Sequence, residues 1–416
     1  MQVFKFGGAS VSTIERIKNV AHILRAFSGE RLLVVISAMG KTTNALEEVV
    51  KAFYGGDSAE ALRLFGQIKT THLEVAAGLS DQPMDQLNDL FTEVEWLLHD
   101  QPQRDFDYYY DQVVCIGELL STCIISNYLN AAGVPNKWVD VRDVLRTDNN
   151  FRDARIDWNI TNTRVQNAIV PLYEDYPIVI TQGFIGATDE NESTTLGREG
   201  SDYTAAIFAN LLDAKAQTIW KDVPGVMNAD PKLYTKAELI RELSYREVIE
   251  MAYYGAQVIH PKTIKPLQNK SIPLYVRSFL NPDAPGTLIH NGTVQHLPPI
   301  IVYKQQQALV QLSTRDFSFV GEGLSGQVEQ VFQELKTRPN LTQNGAISLL
   351  YVMDDTEKAE HFAATAAGLA DVQLQRGLTL LTIRHYTDEL VGELCNADKV
   401  ILQQKTPETL QVLLTQ

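Results

Sequence analysis

Cysteine is scarce in this chain: Cys115, Cys123 and Cys395 are the three present, and no two share a Cys-x-x-Cys spacing. An odd number without that spacing supplies neither a disulfide framework nor a thiolate metal site, so buried, reduced thiols in a cytoplasmic protein are expected. The eight histidines show no metal-ligand pairing, and His260 reads as a hydrogen-bonded structural residue. No dedicated protein metal site is expected. No apolar run approaches the length of a membrane span, and the amino terminus enters a strand-like stretch at once with Lys5 inside it, so neither a span nor a leader is expected. Cations are also short. Lys and Arg number 36 against 51 Asp and Glu, a net charge of −15, and no basic patch offsets it. That excludes nucleic acid and anionic membranes as expected partners, because either demands concentrated positive charge. Two nucleotide signatures are missing as well. Gly40-Lys41-Thr42 looks like the end of a Walker A loop, but Val35 stands where that loop needs its first glycine. No Gly-x-Gly-x-x-Gly follows a strand, which leaves a dinucleotide fold without support.

What the chain does have is a set of glycine-centred motifs in its first 262 residues: KFGGAS, VCIGELLST, TTLGREGSDYTA, WKDVPGVMNADPK and YYGAQVIHPKT. Each sets charge beside backbone that can approach a ligand closely, as a phosphate ringed by fixed donors requires. In the first, Val3 to Phe6 favours a strand, Gly7 and Gly8 break it, and Ser12 to Glu15 has capping-box spacing. Ile14, Ile17, Ala21 and Leu24 then recur at helical intervals. A strand, a glycine turn and a helix start with Lys5 at the strand's end make an anion site or simply a tight turn. In the third motif, Arg198 precedes an alanine-rich helix over 203–212 that Ser201 or Asp202 would cap. Its forked guanidinium suits a carboxylate or phosphate, though such an arginine is also a common solvated surface charge.

At 416 residues the chain predicts two or three domains. Val3 to Phe6, Leu32 to Ser37, Ile178 to Gln182 and Gln217 to Lys221 read as buried strands, each followed by a loop and helical periodicity. The fold class is therefore α/β, a mainly parallel sheet with helices on both faces, and its ligands belong where strand ends meet helix starts. Residues 45–130 read as a mostly helical lobe. The proline-rich run Asn281 to Pro299 reads as a crossing or linker. Beyond it, strands over 308–312, 346–353 and 378–384 alternate with helices over 324–335 and 357–368, as in a small α+β module.

The ordered set KFGGAS, SAMGKTTN, IGELLST, TTLGREGSDYTA, WKDVPGVMNADPK and EMAYYGAQVIHPKT resembles that of aspartate kinases, a branch of the amino acid kinase superfamily, over roughly residues 1–290. The remainder resembles the regulatory ACT modules of that family. The resemblance implies a catalytic domain over 1–295 and an ACT-type region over 302–416. It also implies transfer of the γ-phosphoryl of ATP, brought with Mg²⁺, to the β-carboxylate of L-aspartate. By motif position, Lys5, Gly7, Gly8 and Ser10 would handle the phosphoryl group. Ser37, Thr43, Glu118, Arg198 and Ser201 would hold aspartate, and Asp202 would orient the cations or the substrate amine. Lys221, Asp222, Met227, Lys232, Gln257 and Lys262 would lie along the nucleotide. A homodimer through the ACT region and lysine or threonine as effector are further implied.

The chemistry suits these residue types. A side-chain carboxylate with a reference pKa near 3.9 is already ionised at neutral pH, so the nucleophile needs no general base. What it needs is cations and backbone donors that let two anions meet. Three positions depart from the family pattern: Ala9 replaces a threonine, Glu199 stands where glycine is usual, and Gln257 replaces a lysine, whose charge Lys262 or Lys221 would have to supply. The roughly 115 residues after Ile301 are too few for two full ACT modules, which predicts a shortened second one over 387–416. A kinase for another acidic amino acid, or a silent amino-acid sensor built on the tail, are the alternative readings.

Overall fold

The computed structural model describes residues 1–80, 84–256, 259–316 and 318–415. The chain divides into two compact units, the first comprising Met1–Val226, Leu239–Ile249 and Val258–Val294. The second takes Met227–Glu238, Glu250–Gln257 and Gln295–Gln416. The main stretch of the second unit begins at Gln295, and that unit also takes two short stretches from within the motif region.

In the first unit, β1 (Gln2–Phe6) leads to α1 (Ile14–Arg25), and β2 (Leu32–Ile36) to α2 (Thr42–Tyr54). Helices α3 (Ser58–Leu79), α4 (Asp85–His99), α5 (Phe106–Val114) and α6 (Ile116–Ala131) follow, the helical lobe that the sequence predicts. Next come β3 (Asn136–Trp138), α7 (Trp158–Arg164), β4 (Ile178–Gln182), and the hairpin strands β5 (Ile185–Ala187) and β6 (Ser193–Thr195). The unit continues through α8 (Gly200–Leu211), β7 (Gln217–Lys221), β8 (Glu242–Ser244), the start of α9 (Tyr245–Tyr254), α10 (Pro261–Asn269), β9 (Leu274–Ser278) and β10 (Thr287–His290).

Eight strands form one sheet in the order β3-β4-β2-β1-β7-β9-β10-β8. The pairs β1–β2, β1–β7, β2–β4, β3–β4 and β7–β9 are all parallel, so the carboxyl ends of β1, β2, β4 and β7 share one edge. All five residues of β2 are buried, as both faces covered by helices require. Two local expectations are corrected. Helix α1 is capped by Thr13, whose hydroxyl accepts from the Arg16 N–H at 3.3 Å, whereas Ser12 donates to the Ala9 carbonyl. The run read as a linker contains β10, which pairs antiparallel with β9 and parallel with β8.

Contrary to the expectation that no apolar run approaches the length of a membrane span, helices α5 and α6 together, over Phe106–Ala131, are apolar enough to pass as one by length and composition. With 83% of that window buried inside the fold, they are core helices. Cys115 and Cys123 lie in this core, while Cys395, in the second unit, is half-buried rather than buried.

The second unit is a six-stranded antiparallel sheet. Its strands are β11 (Ile300–Ser313), β12 (Leu341–Asn344), β13 (Ser348–Asp354), β14 (Asp371–Arg384), β15 (Val400–Lys405) and β16 (Thr409–Leu414), in the order β12-β13-β11-β14-β16-β15. Strands β11 and β14 pair along their whole lengths, with a register shift between Lys304 and Gln307 that divides the sheet into two halves. One half carries α11 (Glu322–Glu334) and α12 (Glu357–Ala366), packed through Val328, Phe332 and Phe362. The other carries a single described α-helix, α13 (Asp388–Leu394). Its core takes in Ala229, Tyr234 and Ala237 alongside Ile301, Leu381 and Leu410, which is why Met227–Glu238 belongs to this unit.

Leu33 sits at the middle of β2 with no exposed surface. Leu33→Ala is expected to lower stability by about 3 kcal/mol through lost burial and a residual cavity, measured as a shift in the urea midpoint without a change in slope.

Candidate active site

The shared edge of β1, β2, β4 and β7 opens into a cavity of about 510 Å³ within the first unit. Lys5 comes from the end of β1 and Gly8 from the turn after it; Ser37, Gly40 and Thr43 come from the β2–α2 connection. Glu118 reaches in from the first turn of α6, Lys221 from the end of β7, and Gly197 to Asp202 line the wall leading into α8. Ligands in α/β sheets gather at strand carboxyl ends for the reason visible here, since loops and helix amino termini converge there.

The turn after β1 is tight enough to need glycine. A Cβ on Gly8 would lie 2.8 Å from the Ala38 carbonyl oxygen and 2.9 Å from that of Gly40. The loops after β1 and β2 are in backbone contact, and the Gly40 N–H donates to the Gly8 carbonyl at 3.0 Å. On the far side, a Cβ on Gly183 would come within 2.5 Å of the Ser201 Cβ, so the end of β4 meets the first turn of α8 in the same way.

Lys5 Nζ lies 2.6 Å from Asp202 Oδ1, with side-chain exposures of 12% and 4%. Burial pushes the Asp202 carboxyl up, but the Lys5 and Lys221 charges and the Lys5 hydrogen bond outweigh it and hold the group below the usual carboxylate range. Asp202 is therefore ionised. Glu118 lies in the same cavity in the opposite condition. Burial raises its carboxyl to about 8, despite a hydrogen bond from the Ala38 backbone and the Lys5 charge, and its buried Oε2 has no partner among the described residues. An orphaned buried acceptor is costly until a donor arrives.

Glu199 takes a left-handed backbone, φ 53°, at the N-cap of α8. That conformation favours glycine, which accounts physically for the residue usual at this position. Its carboxylate accepts from the His260 N–H at 2.9 Å. His260 in turn caps α10, its Nδ1 accepting from the Lys262 N–H at 3.2 Å, the structural role the sequence suggested. Neither Ser201 nor Asp202 caps α8; both lie inside its first turn, where Asp202 can face Lys5.

The structure gathers Lys5, Gly8, Ser37, Thr43, Glu118, Arg198, Ser201, Asp202 and Lys221 around one cavity. It sets others apart. Gly7 does not line the cavity itself, though a Cβ there would lie 3.4 Å from Lys5 Nζ, and Ser10 is buried with its hydroxyl donated to the Trp220 carbonyl at 3.3 Å, so that oxygen faces the core. Asp222 is exposed just beyond β7. Lys262 is ion-paired with Asp153, and Met227 and Lys232 belong to the second unit. Gln257 lies outside the described residues.

Tyr110, Arg152, Phe184 and Thr195 also line the cavity, and sequence reasoning missed them. Phe184 lies between Gly183 and Gly186, a glycine pair straight after β4 that could have flagged it. Thr195 and Arg152 are held by Asp111, a buried carboxylate on α5. Its Oδ2 accepts from the Thr195 N–H at 2.8 Å and the Arg152 N–H at 2.9 Å, and its Oδ1 from the Thr195 hydroxyl at 2.7 Å. Burial raises the Asp111 carboxyl to about 6, with these three hydrogen bonds working against it.

Comparison with known proteins agrees with this geometry. Residues 1–278 match the amino acid kinase family. The chain is 30% identical to the lysine-sensitive aspartokinase 3 of Escherichia coli K12 over 392 residues, 92% of this chain and 86% of that one. It is 31% identical to the chloroplastic aspartokinase 1 of Arabidopsis thaliana over 415 residues, 92% of this chain and 70% of that one. A solved structure of E. coli aspartokinase III, in complex with aspartate and ADP, superposes with a TM-score of 0.80 at 27% identity, covering 100% of this chain and 96% of that chain. The chain belongs to the amino acid kinase family and, within it, to the aspartokinases.

Proposed function

We infer that the protein transfers the γ-phosphoryl group of ATP to the β-carboxylate of L-aspartate, giving 4-phospho-L-aspartate, the first step towards lysine, threonine and methionine. The observation that carries this reading is a single cavity holding a buried Lys5–Asp202 pair, a Glu118 whose Oε2 lacks a donor among the described residues, and Arg198. The relative solved with aspartate and ADP supports it.

The two reacting groups are anions, so the residues act by neutralising and positioning charge. Lys5, at the end of β1, faces the transferred phosphoryl group, and the backbone of Gly7 and Gly8 shapes the turn beside it. Ser10 supports that turn from the core. Lys221, beside Asp202 and within reach of its charge, adds a second cation on the nucleotide side, with Asp222 beyond it. Lys221 and Lys262, the latter paired with Asp153 at the surface, are the two candidates for the charge missing at position 257. Arg198 takes the non-reacting carboxylate of aspartate, helped by the hydroxyls of Ser37, Thr43 and Ser201. The substrate ammonium fits Glu118 Oε2, the acceptor left without a donor. Asp202, the ionised carboxylate of the cavity, would hold a magnesium ion brought with the nucleotide, whose remaining ligands would be phosphates and water and which would supply charge neutralisation between the phosphates. Among the described residues no cluster of three metal-ligating side chains exists.

The second unit is the proposed regulatory region, pairing two copies and answering to lysine or threonine. The lysine sensitivity of the E. coli relative supports lysine. The three free thiols support a cytoplasmic location.

Turnover should be read by trapping the acyl phosphate as its hydroxamate. The wild type is expected to consume ATP only with aspartate, and Lys5→Ala to lose at least about a hundredfold in kcat; aspartate-independent turnover, or full activity in the variant, would sink the assignment. Glu118 sets a pH dependence of known sign. Its carboxyl is neutral below about 8 in the empty cavity and must ionise to pair with an ammonium, so aspartate binding releases a proton. The aspartate KM is expected to fall as pH rises from 6 to 8, and Glu118→Gln to flatten that slope. Asp202 works oppositely. Its lowered pKa adds stability above the usual carboxylate range that is lost as pH falls through the folded value. Asp202→Ala, which leaves Lys5 buried without its partner, should cost about 3 kcal/mol or more in chemical denaturation at pH 7.

A further inference from the structure

Arg152 is a residue in the wrong conformation for its type. Its φ is 68°, in the left-handed region where side chains other than glycine are strained. The backbone is held there by the buried carboxylate of Asp111, which accepts the Arg152 N–H at 2.9 Å while fixing Thr195 with its remaining bonds. The neighbouring residue leans on the substrate loop: a Cβ on Gly197 would lie 2.9 Å from Asp153 Oδ1 and 3.2 Å from the Arg152 carbonyl. Arg152 is thereby fixed beside Arg198 on one cavity wall.

Its guanidinium lies 4.3 Å from the centroid of Tyr110, another wall residue. It pairs with Asp107 at 3.0 Å, and both side chains of that pair are about half exposed, 43% and 56%. Glu47 adds attraction from α2. A pair so exposed contributes little to stability, so a carboxylate arriving in the cavity can displace Asp107 at little cost. Tyr110 and Arg152 line the same cavity as Glu118, the acceptor proposed for the substrate ammonium.

We infer that Arg152 is a second carboxylate-binding arginine for the acceptor substrate, exchanging Asp107 for the non-reacting carboxylate that Arg198 also holds. This rests on the aspartate kinase reading. It explains why a strained arginine is kept on the wall: the fork reaches a substrate that glycine could not.

The test is steady-state kinetics with aspartate and ATP varied separately, together with thermal unfolding. Losing a charge-assisted pair to substrate is expected to raise the aspartate KM about tenfold or more in Arg152→Ala and Arg152→Gly, leaving the KM for ATP unchanged and kcat within about twofold. Arg152→Gly should unfold no earlier than the wild type, because it relieves the backbone. Arg152→Lys should fall between, keeping charge without the fork. Asp107→Ala, which frees the guanidinium, should lower the aspartate KM. Overturning results are an aspartate KM within about twofold of wild type in both Arg152→Ala and Arg152→Gly, a rise confined to ATP, or a rise in Asp107→Ala equal to that in Arg152→Ala, which would make the pair merely structural. A wild type that fails to phosphorylate aspartate would overturn the functional reading first, and this inference with it.

Discussion

Two opposite charges placed 2.6 Å apart in a nearly dry site, Lys5 Nζ and Asp202 Oδ1, set the terms for the rest of the first unit. Neither could be buried alone, because an unpaired charge in such surroundings costs several kcal/mol. The end of β1 and the first turn of α8 must therefore arrive together. That turn is held from behind, where Gln217 of β7 donates to the Asp202 carbonyl at 3.4 Å, and from beside, where Gly183 lets the end of β4 pass against Ser201. Substituting at any of these positions would disturb the charge pair as much as the local packing.

The cavity treats its two carboxylates unequally. Asp202 has cations near it and stays ionised, whereas Glu118 has little more than one backbone donor and the distant influence of Lys5, and takes up a proton. The same functional group thus serves as a permanent anion on one wall and as an acceptor awaiting a cation on the other. Environment, and not residue type, divides these roles.

The strands of the parallel sheet were legible because their apolar runs are bounded by glycine and polar loops; Ile178–Gln182 and Gln217–Lys221 were read to the residue. The ends of elements were harder. Thr13 rather than Ser12 caps α1, since both are hydroxyl residues and only the chain's path selects one. Asp202 could not be recognised as a buried charge from spacing alone, since its partner is almost two hundred residues distant. Lys5, Glu118, Arg198 and Asp202 were found through motifs. Arg152 was not, because nothing in a lone arginine on a loop reveals a left-handed backbone or an aspartate beneath it. Tyr110 hid in a run of aromatics that reads as core.

The antiparallel sheet holds a lesson of a different kind. Strands β11 and β14 each cross both halves, so neither half owns a complete set of strands. Ending the chain after Arg384 would strip β16 from β14 and leave half of a fourteen-residue strand as bare backbone facing solvent, a template for stacking against other chains. The two halves therefore form one heritable piece. Helices and loops of either half can change independently, but β11 and β14 are shared and cannot be removed from one half without breaking the other.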